Sequence, residues 1–203
     1  MSVTLILVLI TAVVSYTGLN NAELQRKLIF NPYVIHHRNE WYRLLSHGFI
    51  HGDLMHGFFN LFVLYVFGQA VEGAFMSVFQ EKATVCFLLL YLGGIVASSL
   101  ITYVKQKDNP GYNALGASGG TAAVMFAYVL LFPNSELELY FFIPIRGWIF
   151  GVLYLWYSHY MSKKNLDNIG HEAHLWGAVY GFLITIAFEP QFFLEFMNKI
   201  KLF

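Results

Sequence analysis

Six apolar stretches, at about 2–19, 54–74, 84–104, 115–132, 146–161 and 170–188, alternate with mostly short polar connections along this chain. Each is near the span of about 20 residues that a helix needs to cross a bilayer core. Each is also too long and too continuous for a barrel strand, the other structure that satisfies its backbone in lipid. The pattern predicts an all-α membrane protein, a bundle of six transmembrane helices forming one domain over 1–203. A longer amphiphilic loop separates the first two stretches, Asn20 to Asp53, where Arg26, Lys27, Arg38 and Arg43 mix with Phe30, Trp41 and Tyr42. Trp and Tyr favour the membrane–water boundary, so this loop is expected to lie in the interface without crossing. The tail from Gln191 mixes aromatics with Glu195, Lys199 and Lys201 and reads as a short interfacial helix.

Composition sharpens this picture. The chain is 57% hydrophobic and 12% charged, against roughly a quarter charged in soluble domains. Net charge is zero and no long basic or acidic run occurs, so nucleic acid is not an expected partner, whereas the lipid bilayer is. Cys86 is the single cysteine, which excludes an intramolecular disulfide. No Lys or Arg precedes the apolar run of Met1 to Leu19, so it is expected to be a retained first helix and not a secretory leader. With a cytoplasmic N-terminus, the outer loops would hold eight Lys and Arg residues and the inner ones four. That is the reverse of the positive-inside pattern, and charge alone favours the opposite topology.

Polar groups inside membrane spans are costly, and each is a candidate for function. Ser118 lies in Gly116-Ala-Ser-Gly-Gly120. Gly116 and Gly120 form a small-xxx-small pair that could serve helix packing alone. The same residues fit G-x-S-x-G, but the nucleophile elbow needs a preceding strand, and Asp108 to Asn113 reads as a loop. His174 stands in the last stretch with Gly170, Gly177 and Gly181 on its own helical face. Ala122 continues a small face beside Ser118. Two small-residue faces, one carrying serine and the other histidine, are what a Ser–His hydrogen bond between helices requires. His56 and Asn60, four apart on one face of the second helix, can donate N–H groups to an oxyanion, as can the Ser118 amide.

In order and spacing these residues resemble the rhomboid family of intramembrane serine proteases, in its simple six-helix bacterial form. The matches run from Trp41-Tyr-Arg43 through His47, His51, His56, Asn60 and Glu72 to Gly116-Ala-Ser118-Gly, then Ala173-His174, Gly177 and Gly181. The resemblance implies a serine endopeptidase that cuts membrane proteins in or near their transmembrane segments. It uses a Ser118–His174 dyad, an oxyanion hole of His56, Asn60 and the Ser118 amide, and neither cofactor nor metal. It further implies a bacterial inner-membrane location, a buried approach over Asn113–Leu115 beneath a water-filled cavity, and structural roles for Arg43, His47, His51 and Glu72. A transmembrane protein substrate would enter between the second and fifth helices. The fifth stretch, rich in aromatics (Trp148, Phe150, Tyr154, Trp156, Tyr157), suits such a gate or an ordinary interfacial belt, and Lys163 to Ile169 would cap the site. His171 is expected at the surface. Two positions depart from the family pattern. Ala122 stands where an aromatic often stacks on the catalytic imidazole, and Trp176 stands where a small residue is common.

Other classes fit less well. An inactive relative that binds membrane clients would usually lack the serine or the histidine. A b-type cytochrome would need haem between histidines such as His56 and His174. His171-Glu-Ala-His174 is one residue too short for the H-E-x-x-H of a zinc protease.

Overall fold

The computed structural model describes residues 2–139, 143–164 and 170–200. Helix α1 (Val3–Asn20) is followed by three short helices of the first loop: α2 (Ala22–Leu28), α3 (Pro32–Arg38) and α4 (Arg43–Ser46). Long helices α5 (Leu54–Phe79) and α6 (Ala83–Gln106) come next, then α7 (Ser118–Leu131). A small antiparallel hairpin, β1 (Glu136–Leu139) with β2 (Ile143–Arg146), leads to α8 (Gly147–Lys164), α9 (His171–Phe188) and α10 (Gln191–Ile200).

The long helices fall on the apolar stretches. By length and composition α1 (mean hydropathy 1.9) and the run Leu54–Gln106 (2.2) are apolar enough to cross a membrane. That run is two helices, not one, because a 3-10 turn at Gln80–Lys82, with Gln80 at φ 51°, folds it back. Asn60 of α5 and Ser98 of α6 consequently meet the same end of α7. α9 qualifies together with α10, from which it is bent by 116°. α7 is apolar but only 14 residues long, and α8, rich in Tyr, Trp and terminal Lys, does not qualify on composition.

The centre of the bundle is α7, whose residues Gly119 to Ala127 are all buried. Around its Ala123 and Val124 pack Leu64 of α5, Phe87, Leu90 and Tyr91 of α6, and Tyr180 and Ile184 of α9. The outward positions are apolar too: Leu9, Val13, Phe58, Phe62, Val152 and Trp156 are all exposed. Exposed apolar area on that scale suits a lipid surround, not water.

The first loop is a folded body. Arg43, nearly buried, donates from Nη1 to the carbonyls of Arg26 (2.8 Å) and Ile29 (2.9 Å), and from Nε to Glu40 (2.7 Å). The Arg43 hydrogen bond holds the Glu40 carboxyl below its ordinary pKa. Trp41 and Tyr42 remain half exposed, as interfacial residues would.

Glu72, on α5, caps α1. Its carboxylate accepts from the Val3 and Thr4 amides at 2.7 and 2.8 Å and from the Thr4 hydroxyl at 2.6 Å. A negative charge at a helix N-terminus meets both unpaired N–H groups and the positive end of the dipole. Glu72→Ala is expected to leave those donors without their acceptor and lower stability by about 1–3 kcal/mol. Thermal unfolding in detergent checks this, and an unchanged midpoint would show that the cap is dispensable.

Candidate active site

The segment entering α7 is extended, and the first loop satisfies its backbone. Phe30 and Ala114 exchange two N–H···O bonds of 3.0 Å, and the Gly116 amide donates to the His47 carbonyl at 3.0 Å. The Ala117 amide donates to His51 Nε2 at 3.2 Å. Because Nε2 accepts there, the ring proton sits on Nδ1 and goes to Ser15 Oγ at 3.0 Å. His51 thereby ties α1 to the residue before Ser118. His47 works the same way: Nδ1 donates to the Arg43 carbonyl (2.8 Å), leaving Nε2 to accept from Ser99 Oγ (3.1 Å) on α6. These bonds explain why α7 begins at Ser118 and not near 115. The backbone of 114–117 is committed to the first loop before the helix can start.

Ser118 is the first residue of α7, half buried, at the end whose leading N–H groups lack intrahelical partners. No side chain caps this end among the described residues. Gly116 has φ +120°, and a Cβ there would fall 2.8 Å from His56 Cε1, so the glycine lets the His56 ring lie against the chain beside the serine. Asn60, one turn along α5, donates from Nδ2 to the His56 carbonyl (2.9 Å), and its Oδ1 lies 3.1 Å from Thr121 Oγ1. Thr121 is also 3.1 Å from the Ser118 carbonyl, and its one proton serves these two acceptors. With Oδ1 held by Thr121 and one Nδ2 proton on the His56 carbonyl, the Asn60 amide has a second N–H to donate.

The other wall is α9. A Cβ on Gly177 would lie 2.3 Å from the Gly119 carbonyl oxygen, and one on Gly181 would lie 2.1 Å from that of Ala123. The backbones of α7 and α9 touch at these two levels. His174 stands one turn before Gly177 and Ser118 one residue before Gly119, on the same side of the contact. The His174 ring stacks on Tyr154 of α8 (centroids 6.4 Å, planes 23° apart) and is crossed by His171 at 5.9 Å and 74°. At the rim Glu172 accepts from Thr102 (3.1 Å) and pairs with Lys105, tying α9 to α6.

Ser118, His174, His56 and Asn60 all line one cavity of about 1200 Å³, together with Ser98, Thr121, Tyr154 and His171. The four candidate residues, from three separate stretches of sequence, therefore share one space. One expectation fails: His171 is not at the surface. It is 5% exposed, its ring meeting Tyr157 edge-on at 5.6 Å, because the first turn of α9 is packed under α8. Trp176 is exposed, facing away from His174 as its helical angle requires. Within the expected cap, residues 165–169 lie outside the described residues. Thr121 carries no assignment from sequence, and Tyr154 only that of a gate or interfacial-belt aromatic. Thr121 sits three residues after Ser118 on its face, a spacing that could have singled it out. Tyr154 is one of several aromatics on α8, and nothing in the sequence distinguishes it.

Fold and cavity together define a multi-helix integral membrane protein with polar side chains gathered in a cavity among its helices. The chain belongs to the rhomboid family: the Rhomboid domain matches residues 38–191, which include His56, Asn60, Ser118 and His174. The chain is 29% identical to the protein named putative rhomboid protease YdcA of Bacillus subtilis (strain 168) over 149 residues, 72% of this chain and 66% of that one. It is also 29% identical to RHOMBOID-like protein 12, mitochondrial, of Arabidopsis thaliana over 150 residues, 66% of this chain and 43% of the relative. With Rhomboid protease GluP of Bacillus subtilis (strain 168) it shares 28% over 150 residues, 74% of this chain and 26% of that one. The chain thus spans from about a quarter to about two thirds of the length of these curated relatives.

Two measurements test the geometry. Gly181→Val is expected to force α7 and α9 apart and lower both thermal stability and any activity of the site, whereas Gly73→Ala, with nothing within 4 Å of its Cβ, should be silent. Equal behaviour of the two variants would contradict the close approach. Burial draws His47 and His51 from the ordinary 6.5 down to about 4. The folded protein resists protons that the unfolded chain accepts, so their contribution is complete above about pH 6.5 and is lost as pH falls through about 4. Unfolding midpoints should drop across that window; a flat profile would mean the two rings are not held neutral.

Proposed function

We propose that this protein is an intramembrane serine endopeptidase that cleaves peptide bonds in or near the transmembrane segments of other membrane proteins. The reading rests above all on one observation: the serine, the histidine and two amide or imidazole donors line one cavity among the helices. Ser118 Oγ attacks the substrate carbonyl while His174 takes its proton. The imidazolium then gives that proton to the leaving amine, and an acyl-enzyme remains on Ser118. Water from the cavity, deprotonated by His174, attacks the ester and restores the serine. Negative charge on the tetrahedral oxygen is met by the Ser118 amide at the positive end of α7, by His56 and by Asn60.

The helices on the apolar stretches are read as six membrane spans of one domain, with α10 on the membrane surface. Short α7 fits this because it starts inside the bundle, where irregular backbone is buried in protein or lines a cavity. Membership of the family together with the Bacillus relatives supports the cell membrane of a bacterium as its location, and a transmembrane protein as its substrate. Neither a cofactor nor a metal has a role in this scheme.

The test is cleavage of a transmembrane reporter in proteoliposomes. Ser118→Ala and His174→Ala should each abolish turnover while leaving the unfolding midpoint near that of the parent. Asn60→Ala should lower kcat by about 10²–10³, the cost of one oxyanion donor. Robust turnover by either dyad variant would remove the dyad, and reporter binding by the parent without cleavage would make the chain a client-binding relative.

A further inference from the structure

We infer that Tyr154 is the positioning residue of His174, supplying from α8 the aromatic surface that α7 lacks. The inference rests on the reading of His174 as general base. Its ground is local geometry. The Tyr154 and His174 rings stack at 6.4 Å and 23°, within the offset-stacked range for aromatic pairs. Opposite them stands Ala122, 2% exposed, in a cluster with Met125, Phe126 and Ala178 against which Phe150, Tyr154 and Leu155 pack. Tyr154 is locked there by Phe126 at 5.5 Å and Phe150 at 5.8 Å. The methyl of Ala122 leaves room on α7, and the ring from α8 fills it.

Stacking does two things for a base. It fixes the plane of the imidazole, so that the nitrogen facing the serine keeps its direction. It also sets a π face against the imidazolium formed when the serine proton is taken, an attractive pairing for a cation. His171 meets the same ring at 5.9 Å and 74°.

The neighbours of Tyr154 on its helix do not share this role. Val152, Leu153, Trp156 and Tyr157 are exposed by 60%, 47%, 62% and 48%, and α8 buries only Gly147, Gly151 and Ser158. The base is thus steadied by the helix with the fewest buried residues among the long ones, so an outward movement of α8 would release it.

The experiment measures kcat and KM on a transmembrane reporter and the rate of labelling by a fluorophosphonate, for Tyr154→Phe, Tyr154→Leu, Tyr154→Ala and Tyr154→Ala with Ala122→Phe. Phenylalanine should rescue most of the kcat that leucine loses. Leucine keeps apolar bulk without a ring and should lower kcat about tenfold to a hundredfold with KM little changed, the scale of a misplaced catalytic group. The double variant should recover activity lost in Tyr154→Ala, because the ring then returns from α7, while Ala122→Phe alone should be impaired because two rings compete for one space. Leucine as active as phenylalanine, or a double variant no better than Tyr154→Ala, would overturn the role. Labelling that persists in His174→Ala would instead defeat the reading of His174 itself, whatever Tyr154 does.

Discussion

Gly177 and Gly181 let α9 lie against α7 so closely that one added carbon at either position would fall 2.3 or 2.1 Å from a carbonyl oxygen of α7. No side chain can be accommodated at such a contact without moving a helix. Serine is short and imidazole is not long, so only backbones this close can bring the two into one space from separate helices. The small residues on α7 answer it: Gly120 receives Tyr91 and Ala123 meets Gly94, each at a distance that a larger residue would not permit. Packing around the centre of the bundle and geometry of the site are therefore one constraint, not two.

A second requirement comes from starting a helix inside an apolar bundle. Buried backbone amides need acceptors, and those before α7 find them in the first loop, at the Phe30 and His47 carbonyls and His51 Nε2. The loop can serve because Arg43 has already gathered the carbonyls of Arg26 and Ile29. Interfacial loop, histidine tautomers and helix start form a chain of hydrogen bonds that ends one residue before Ser118. The amides beyond that point are left for the cavity.

Much of this was legible in the sequence. Apolar length marked helices α1, α5, α6, α7, α8 and α9, and the mixed Arg–Trp–Tyr composition marked the first loop. Glycines around His174 and small residues around Ser118 foretold which two helices would touch, since their periodicity survives without any knowledge of the fold. The apolar stretch begins three residues before α7 because hydropathy cannot see that Gly116 and Ala117 are bonded to a loop some 70 positions earlier in the chain. His171 was misplaced because a histidine at a helix start looks interfacial until the packing of α8 over α9 is known. Tyr154 was hidden for a related reason: its partner lies on another helix, and aromatics on a lipid-facing helix look alike in sequence.

The most direct test of the central claim is to treat the purified protein with a fluorophosphonate and map the modified residue by mass spectrometry, with and without His174→Ala. A single adduct on Ser118 is expected, forming in the parent and not in the variant. An adduct on another serine, or labelling of Ser118 that is indifferent to His174, would contradict it.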